Sequence, residues 1–295
     1  MKLIIIIFVC VLGLIQAKLI NLNVRVHDSV EHTKKHHLRN VTIKDLVEFK
    51  KVEIYDTVIN TLEIGDISDL PNLEELSLKK VGLETLKPGC FKNLPKLKRI
   101  NLVENNISQI KYGVFNDLGI SKIDFKENQI NYIETKAFDN MFLLQDVVLK
   151  NNNLTYINPD WFRGTSIQHL SFSRNHIKNI PANAFKNIRG LRKLELNQNG
   201  IESINEDAFV GLEHLTRLNL AVNAIETIYD HTFRDLHRLA RLELQWNKLE
   251  CLSDSTLDDF GSMLYVFLNY NRLDSECHSK LQKFNAYHSL SRIFY

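Results

Sequence analysis

Apolar residues recur along this chain at fixed intervals. From Leu97 they fall at Ile100, Leu102, Ile107, Ile110, Phe115 and Leu118, and a polar Asn105 interrupts the series. The same slots return from Leu191 as Leu194, Leu196, Asn199, Ile201, Ile204, Phe209 and Leu212, and from Leu215 as Leu218, Leu220, Asn223, Ile225, Ile228, Phe233 and Leu236. Units start at Phe49, Leu73, Leu97, Ile120, Leu144, Ile167, Leu191, Leu215, Leu239 and Met263, steps of 24 residues except for two of 23, into Ile120 and Ile167. Each short step loses its residue in the linker, at Gly119 and Ser166, so the strand slots stay in register. Alternation such as Leu194-x-Leu196 buries one face of a short strand, and successive units stack those strands side by side. A chain written this way forms a solenoid, in which no unit buries its apolar face alone.

An Asn slot is filled at Asn105, Asn128, Asn152, Asn175, Asn199, Asn223, Asn247 and Asn271. An amide carries two donors and an acceptor, enough to serve backbone groups freed where the chain leaves a strand, so stacked units can build a ladder. Phe91, Phe115, Phe138, Phe162, Phe185, Phe209 and Phe233 form a second column opposite the strands. With its 23–24-residue period, the pattern resembles the typical class of extracellular leucine-rich repeats over residues 49–273. Secreted insect leucine-rich immune proteins and Toll-like receptor ectodomains are the families it is most similar to. That resemblance implies an α/β solenoid, a horseshoe with a parallel sheet on its concave face and an irregular, 3-10 or short helical convex side. It also implies extracellular recognition, in innate immunity or cell-surface signalling.

The ends depart from the pattern, as capping units do. Thr57 and Val81 stand in the Asn slot of the first two units, and Leu257 stands in the Phe slot of the ninth. Residues 18–48 lack a Cys pair, so either a small cap without a disulfide or a partner covers that edge. In 274–295, Leu281, Phe284, Tyr287 and His288 predict a helix over the last unit, with Ile293 and Phe294 beyond it. At the other extreme, Met1-Lys2, the apolar run Leu3 to Ile15 and Ala17 read as a secretory leader over 1–17. That run is too short to cross a bilayer, and no later one is longer. Asn40-Val-Thr42, Asn106-Ile-Ser108 and Asn153-Leu-Thr155 are glycosylation acceptors in a secreted chain, so Asn40, Asn106 and Asn153 are expected to carry glycans.

Composition changes the picture in two places. Only 11 Gly and 5 Pro are present, so Asn must make the turns. A formal net charge of +2 does not suit a dedicated nucleic-acid binder. Outside the leader, the cysteines are Cys90, Cys251 and Cys277. Cys251 and Cys277 occupy nearly equivalent places on adjacent units, within reach of a disulfide. Cys90 stands where other units carry Ala137, Ala184 and Ala208, a slot for a small buried side chain.

Catalysis finds no foothold: no nucleophile elbow, phosphate loop or zinc-protease motif is present, and no cofactor is implied. His27, His32, His36 and His37 cluster, but Lys34 and Lys35 between them oppose a cation. Glu195 and Glu243 lie two units apart on the concave face rather than forming an acid pair.

Function is expected on the face that the strands present. One column runs Lys51, Glu75, Arg99, Lys122 and onward through Arg217 and Arg241 to Tyr265. The next ends in Glu243 and Phe267, and a third in Val222, Trp246 and Tyr270. Val222, Trp246, Tyr265, Phe267 and Tyr270, flanked by Arg217 and Arg241, have the composition of an interface hot spot. They predict binding of a protein ligand or receptor, or of a second copy of the chain. Two alternatives stay open: the tail folds over these rings, or the protein is a structural or adhesive component of matrix.

Overall fold

The computed structural model describes residues 19, 21–27, 35–287 and 292–295. The leader at 1–17, His32 and His288 lie outside the described residues.

Strands of the main sheet form two places after each of the ten unit starts, with two more before the array and one after it. They are β1 (Leu22–His27), β2 (Lys35–Val41), β3 (Lys51–Ile54), β4 (Glu75–Ser77), β5 (Arg99–Asn101), β6 (Lys122–Asp124) and β7 (Asp146–Val148). The series continues with β8 (His169–Ser171), β9 (Lys193–Glu195), β10 (Arg217–Asn219), β11 (Arg241–Glu243), β12 (Tyr265–Phe267) and β13 (Arg292–Phe294). Together they make a 13-stranded sheet in the order β2-β1-β3 and then sequentially to β13. From β3 onward every pairing is parallel and in register, as in Ile100↔Ile123 and Leu194↔Leu218. The middle residue of each three-residue strand is buried and its first residue faces outward. Opposite the sheet lie turns, a 3-10 helix at Pro159–Phe162 and the short helix α1 (Asp254–Phe260). This is the solenoid that the period predicts.

All eight Asn residues of the ladder make the same bonds. At Asn152, Oδ1 accepts from the Ile130 N–H at 2.9 Å, while Nδ2 donates to the carbonyls of Phe125 at 3.0 Å and Leu149 at 3.1 Å. Ile130 and Phe125 belong to the preceding unit, so each amide bonds the exit of one coil to the next. Each carbonyl is served twice: Phe125 O also accepts from Asn128 Nδ2, and Leu149 O from Asn175 Nδ2. Buried polar groups left without partners are costly, which is why a chain poor in Gly and Pro keeps Asn here.

The Phe column is a stack. Ring centroids lie 5.6 Å apart for Phe91–Phe115, 5.3 Å for Phe138–Phe162 and 5.9 Å for Phe209–Phe233. Between Phe162 and Phe185 the stack is interrupted, and Trp161 packs inside with its Nε1 donating to Ile133 O at 2.8 Å. In the ninth unit Phe260 meets Phe233 at 5.9 Å, three residues after Leu257, because α1 shifts the position at which an aromatic reaches the column.

Both ends of the core are covered by the chain itself. At the first unit, β1 pairs antiparallel with both β2 and β3, and its Leu22, Val24 and Val26 are buried. At the last, helix α2 (Ser275–Tyr287) turns Cys277, Leu281 and Phe284 inward. Strand β13 then adds beside β12, and Asn285 clamps it by accepting from Ile293 N at 3.1 Å and donating to Ile293 O at 3.0 Å.

Candidate functional site

Charges on the first units of the concave face cancel locally. Arg25 pairs with Glu53 at 3.0 Å, Lys51 and Arg99 both pair with Glu75, and on the adjoining flank Lys98 pairs with Glu74 at 2.7 Å. The Lys98 hydrogen bond holds the Glu74 carboxyl below the usual carboxylate range. Further along, His169 Nδ1 meets Asp146 Oδ1 at 2.7 Å and Lys193 pairs with Glu195. Exposed pairs of this kind contribute little stability, but they leave few charges free for a ligand.

The last units differ. Trp246 and Tyr270 stack face to face with centroids 4.0 Å apart and planes 14° from parallel, and they remain 55% and 67% exposed. Phe267 lies beside Tyr265 at 6.5 Å, and the Arg241 guanidinium sits over its ring at 4.4 Å from the centroid. Arg241 Nε also donates to Glu243 Oε1 at 2.6 Å, and Asn219 Nδ2 donates to Glu243 Oε2 at 3.0 Å. Arg217 is exposed and forms no ion pair among the described residues. Gln245 Nε2 donates to Glu243 Oε2 at 3.4 Å.

The sequence-predicted residues thus fall into two neighbouring clusters. Trp246, Tyr270 and Val222 stand where the chain leaves the strands, while Tyr265, Phe267 and Arg241 lie on the strands themselves. Among the described residues the tail leaves Trp246, Tyr265 and Tyr270 exposed but half-covers Phe267: β13 extends the sheet beside β12 and stacks Phe294 on Phe267, centroids 4.9 Å apart and planes 8° from parallel. Phe294 therefore belongs to the same surface, although the sequence reading left it in the cap. Its signal was the alternation Arg292-Ile293-Phe294, which repeats Tyr265-Val266-Phe267.

Backbone geometry sharpens the contrast. The exit position of every unit has a left-handed backbone, from Asp56 through Asn151 to Tyr270. Val222, Trp246 and Tyr270 adopt φ of 57°, 60° and 61°. A β-branched or bulky side chain is strained there, by about 1–3 kcal/mol. Asn or Gly would fit without strain, so three exposed apolar groups are held at a stability cost.

The remaining predicted residues are separate from this surface. Asn40 lies on β2, and Asn106 and Asn153 sit on the strand-exit edge, with Asn40 and Asn106 exposed and Asn153 half-buried. Cys251 and Cys277 are neighbours, unbridged in this structure, and burial foremost, with Cys251 second, pushes the Cys277 thiol up to about 12. Burial likewise pushes the Cys90 thiol up to about 12. Among the described residues, no group of three or more His, Cys, Asp or Glu could hold a metal ion. No helix among them is long and apolar enough to cross a membrane.

Comparisons with known proteins agree with this geometry. The family described as BspA type Leucine rich repeat region matches residues 66–191 in six copies. A second, described as Leucine rich repeat, matches 165–225, 189–249 and 213–273. No curated protein matches the chain by sequence. Among solved structures, it is similar to Toll in the Drosophila Toll–Spatzle complex, described as a hub in development and innate immunity. There the TM-score is 0.65 at 20% identity, over 79% of this chain and 36% of that one. It is also similar to a chain of the mouse RP105/MD-1 complex, with a TM-score of 0.68 at 22% identity, over 79% of this chain and 40% of that one. The chain therefore spans well under half the length of these neighbours.

Proposed function

We propose that this chain, a leucine-rich repeat protein with the fold of Toll-like receptor ectodomains, is a secreted binding module that recognises a protein partner rather than an enzyme. The observation that carries this reading is the exposed aromatic surface of Trp246, Tyr265 and Tyr270, continued by the half-buried Phe267 and rimmed by Arg217 and Arg241 on an otherwise self-neutralised face. Aromatic and Arg side chains are enriched at the centres of protein interfaces, where truncating a central one costs about 2 kcal/mol or more. The solved neighbours are receptor ectodomains in complexes with protein partners, which favours a role in innate immunity or cell-surface signalling.

The leader at 1–17 and the three glycan acceptors support secretion. We expect Cys251 and Cys277 to join in the oxidising environment outside the cell. A mass map of native secreted protein with either thiol free would overturn that pairing. Glycans on Asn106 and Asn153, in the third and fifth units, would leave the aromatic surface of the last units open. A second reading, adhesion through assembly of copies, is favoured by the outer edges of β2 and β13, unpaired among the described residues.

The test is a chain carrying Trp246→Ala and Tyr270→Ala, used as bait in native extracellular fluid. Partners identified by mass spectrometry with the unsubstituted bait should bind about thirtyfold more weakly or disappear. If every capture and the oligomeric state stay unchanged, the reading fails.

A further inference from the structure

The two short steps of the array are not equivalent. Removing one linker residue draws the loop back and leaves a notch on the flank where the chain approaches the strands. At Gly119 the notch is filled: Leu143, at the same position one unit on, brings its Cδ1 to 4.0 Å from where a glycine Cβ would stand. At Ser166 the corresponding residue is Gly190, which has no side chain to fill the space. A cavity of about 700 Å³ remains, and Lys186, Arg189, Arg192 and His214 surround it together with the Thr165 and Ser166 hydroxyls.

No carboxylate lines this cavity. The four basic residues are exposed, and none forms an ion pair among the described residues. The first units show how unusual that is. Lys98 stands at the unit position of Arg192, and Glu74 of the preceding unit neutralises it at 2.7 Å. Before Arg192 that carboxylate position is occupied by Gln168. Arg189 runs alongside Gly211, its Nε lying 3.8 Å from where a Cβ there would stand. Exposed Arg238, one unit beyond His214, prolongs the positive flank.

We propose that this notch binds a sulfated polysaccharide. A single small anion needs one or two cations, whereas a clustered, unneutralised track along a flank suits a chain bearing repeated negative groups. No Phe, Tyr or Trp lines the notch to stack on a base, which favours a sulfated glycan over a single-stranded nucleic acid. The site is separate from the aromatic surface, so a chain can hold matrix glycan and protein partner together. Only the choice of polyanion rests on the proposed secretion; binding in vitro does not.

The experiment uses the full chain on immobilised heparin at about 0.15 M salt. Arg189→Gln with Arg192→Gln should weaken binding about tenfold or more and lower the eluting salt. Gly190→Leu, which fills the notch as Leu143 fills the other without removing charge, should also weaken binding. A charge-matched control, Lys80→Gln with Lys111→Gln, should elute with the unsubstituted chain. The proposal is overturned if the unsubstituted chain is not retained, if Gly190→Leu binds as well as it does, or if the control loses as much affinity as the arginine pair. Equal or tighter binding of poly(U), lost in the same variants, would assign the notch to nucleic acid instead.

Discussion

Replacing Asn152 tests whether the amide ladder holds the coils together. Its side chain is 4% exposed, so water cannot replace what is removed. Asn152→Ala orphans the Ile130 N–H, whose bond to Oδ1 is 2.9 Å long. An unsatisfied buried donor costs about 1–3 kcal/mol. The Phe125 and Leu149 carbonyls lose one partner each but keep Asn128 and Asn175, so each loss is nearer about 0.5–1.5 kcal/mol. The expected destabilisation is about 2–6 kcal/mol, measured as a shift of the urea midpoint and of amide exchange at Ile130. Asn153→Ala, next in sequence but half-buried, should cost under about 0.5 kcal/mol in unglycosylated protein. Asn152→Asp separates acceptor from donor: the carboxylate still accepts from Ile130 but now faces two carbonyl oxygens. Burial and those carbonyls favour its protonated form, so its folded pKa rises above the unfolded value of about 3.9. The penalty is therefore smallest below that value and grows as pH rises through the folded pKa. An alanine cost below about 1 kcal/mol, or an aspartate variant as stable at neutral as at acid pH, would refute the ladder's role.

Other consequences are simpler to check. Cys90, its thiol pushed up to about 12, should resist thiol reagents at about pH 8 in the folded protein and label fully in denaturant; rapid native labelling would contradict its burial. Trp161→Phe leaves the Ile133 carbonyl without its 2.8 Å donor and should cost about 1–3 kcal/mol in chemical denaturation, whereas an unchanged midpoint would mean that the bond contributes nothing. Gly113→Ala should lower the melting temperature, because φ there is 83° and the new Cβ would lie 3.1 Å from Pro88 Cβ; a neutral result would mean that the turn relaxes freely.

The sequence by itself determined the solenoid. A period of 24 with Leu-x-Leu and Asn slots admits one stacking register, because a one-residue slip would turn Leu194 and Leu196 outward and pull every ladder amide from its carbonyls. It also placed Trp246, Tyr265 and Tyr270 on exposed columns and the half-buried Phe267 beside them, since unit position fixes the direction of a side chain. What lies outside the period was decided by tertiary structure alone. Whether Phe294 covers or extends the aromatic surface depends on β13 pairing with β12, a contact between segments with no repeat to link them. Phe260 takes the Phe slot only because α1 changes the local rise of the chain. The open notch at Ser166 and the filled one at Gly119 carry the same deletion, and the side chain of the next coil distinguishes them. Periodicity specifies what neighbouring coils share, and packing decides what happens where they differ.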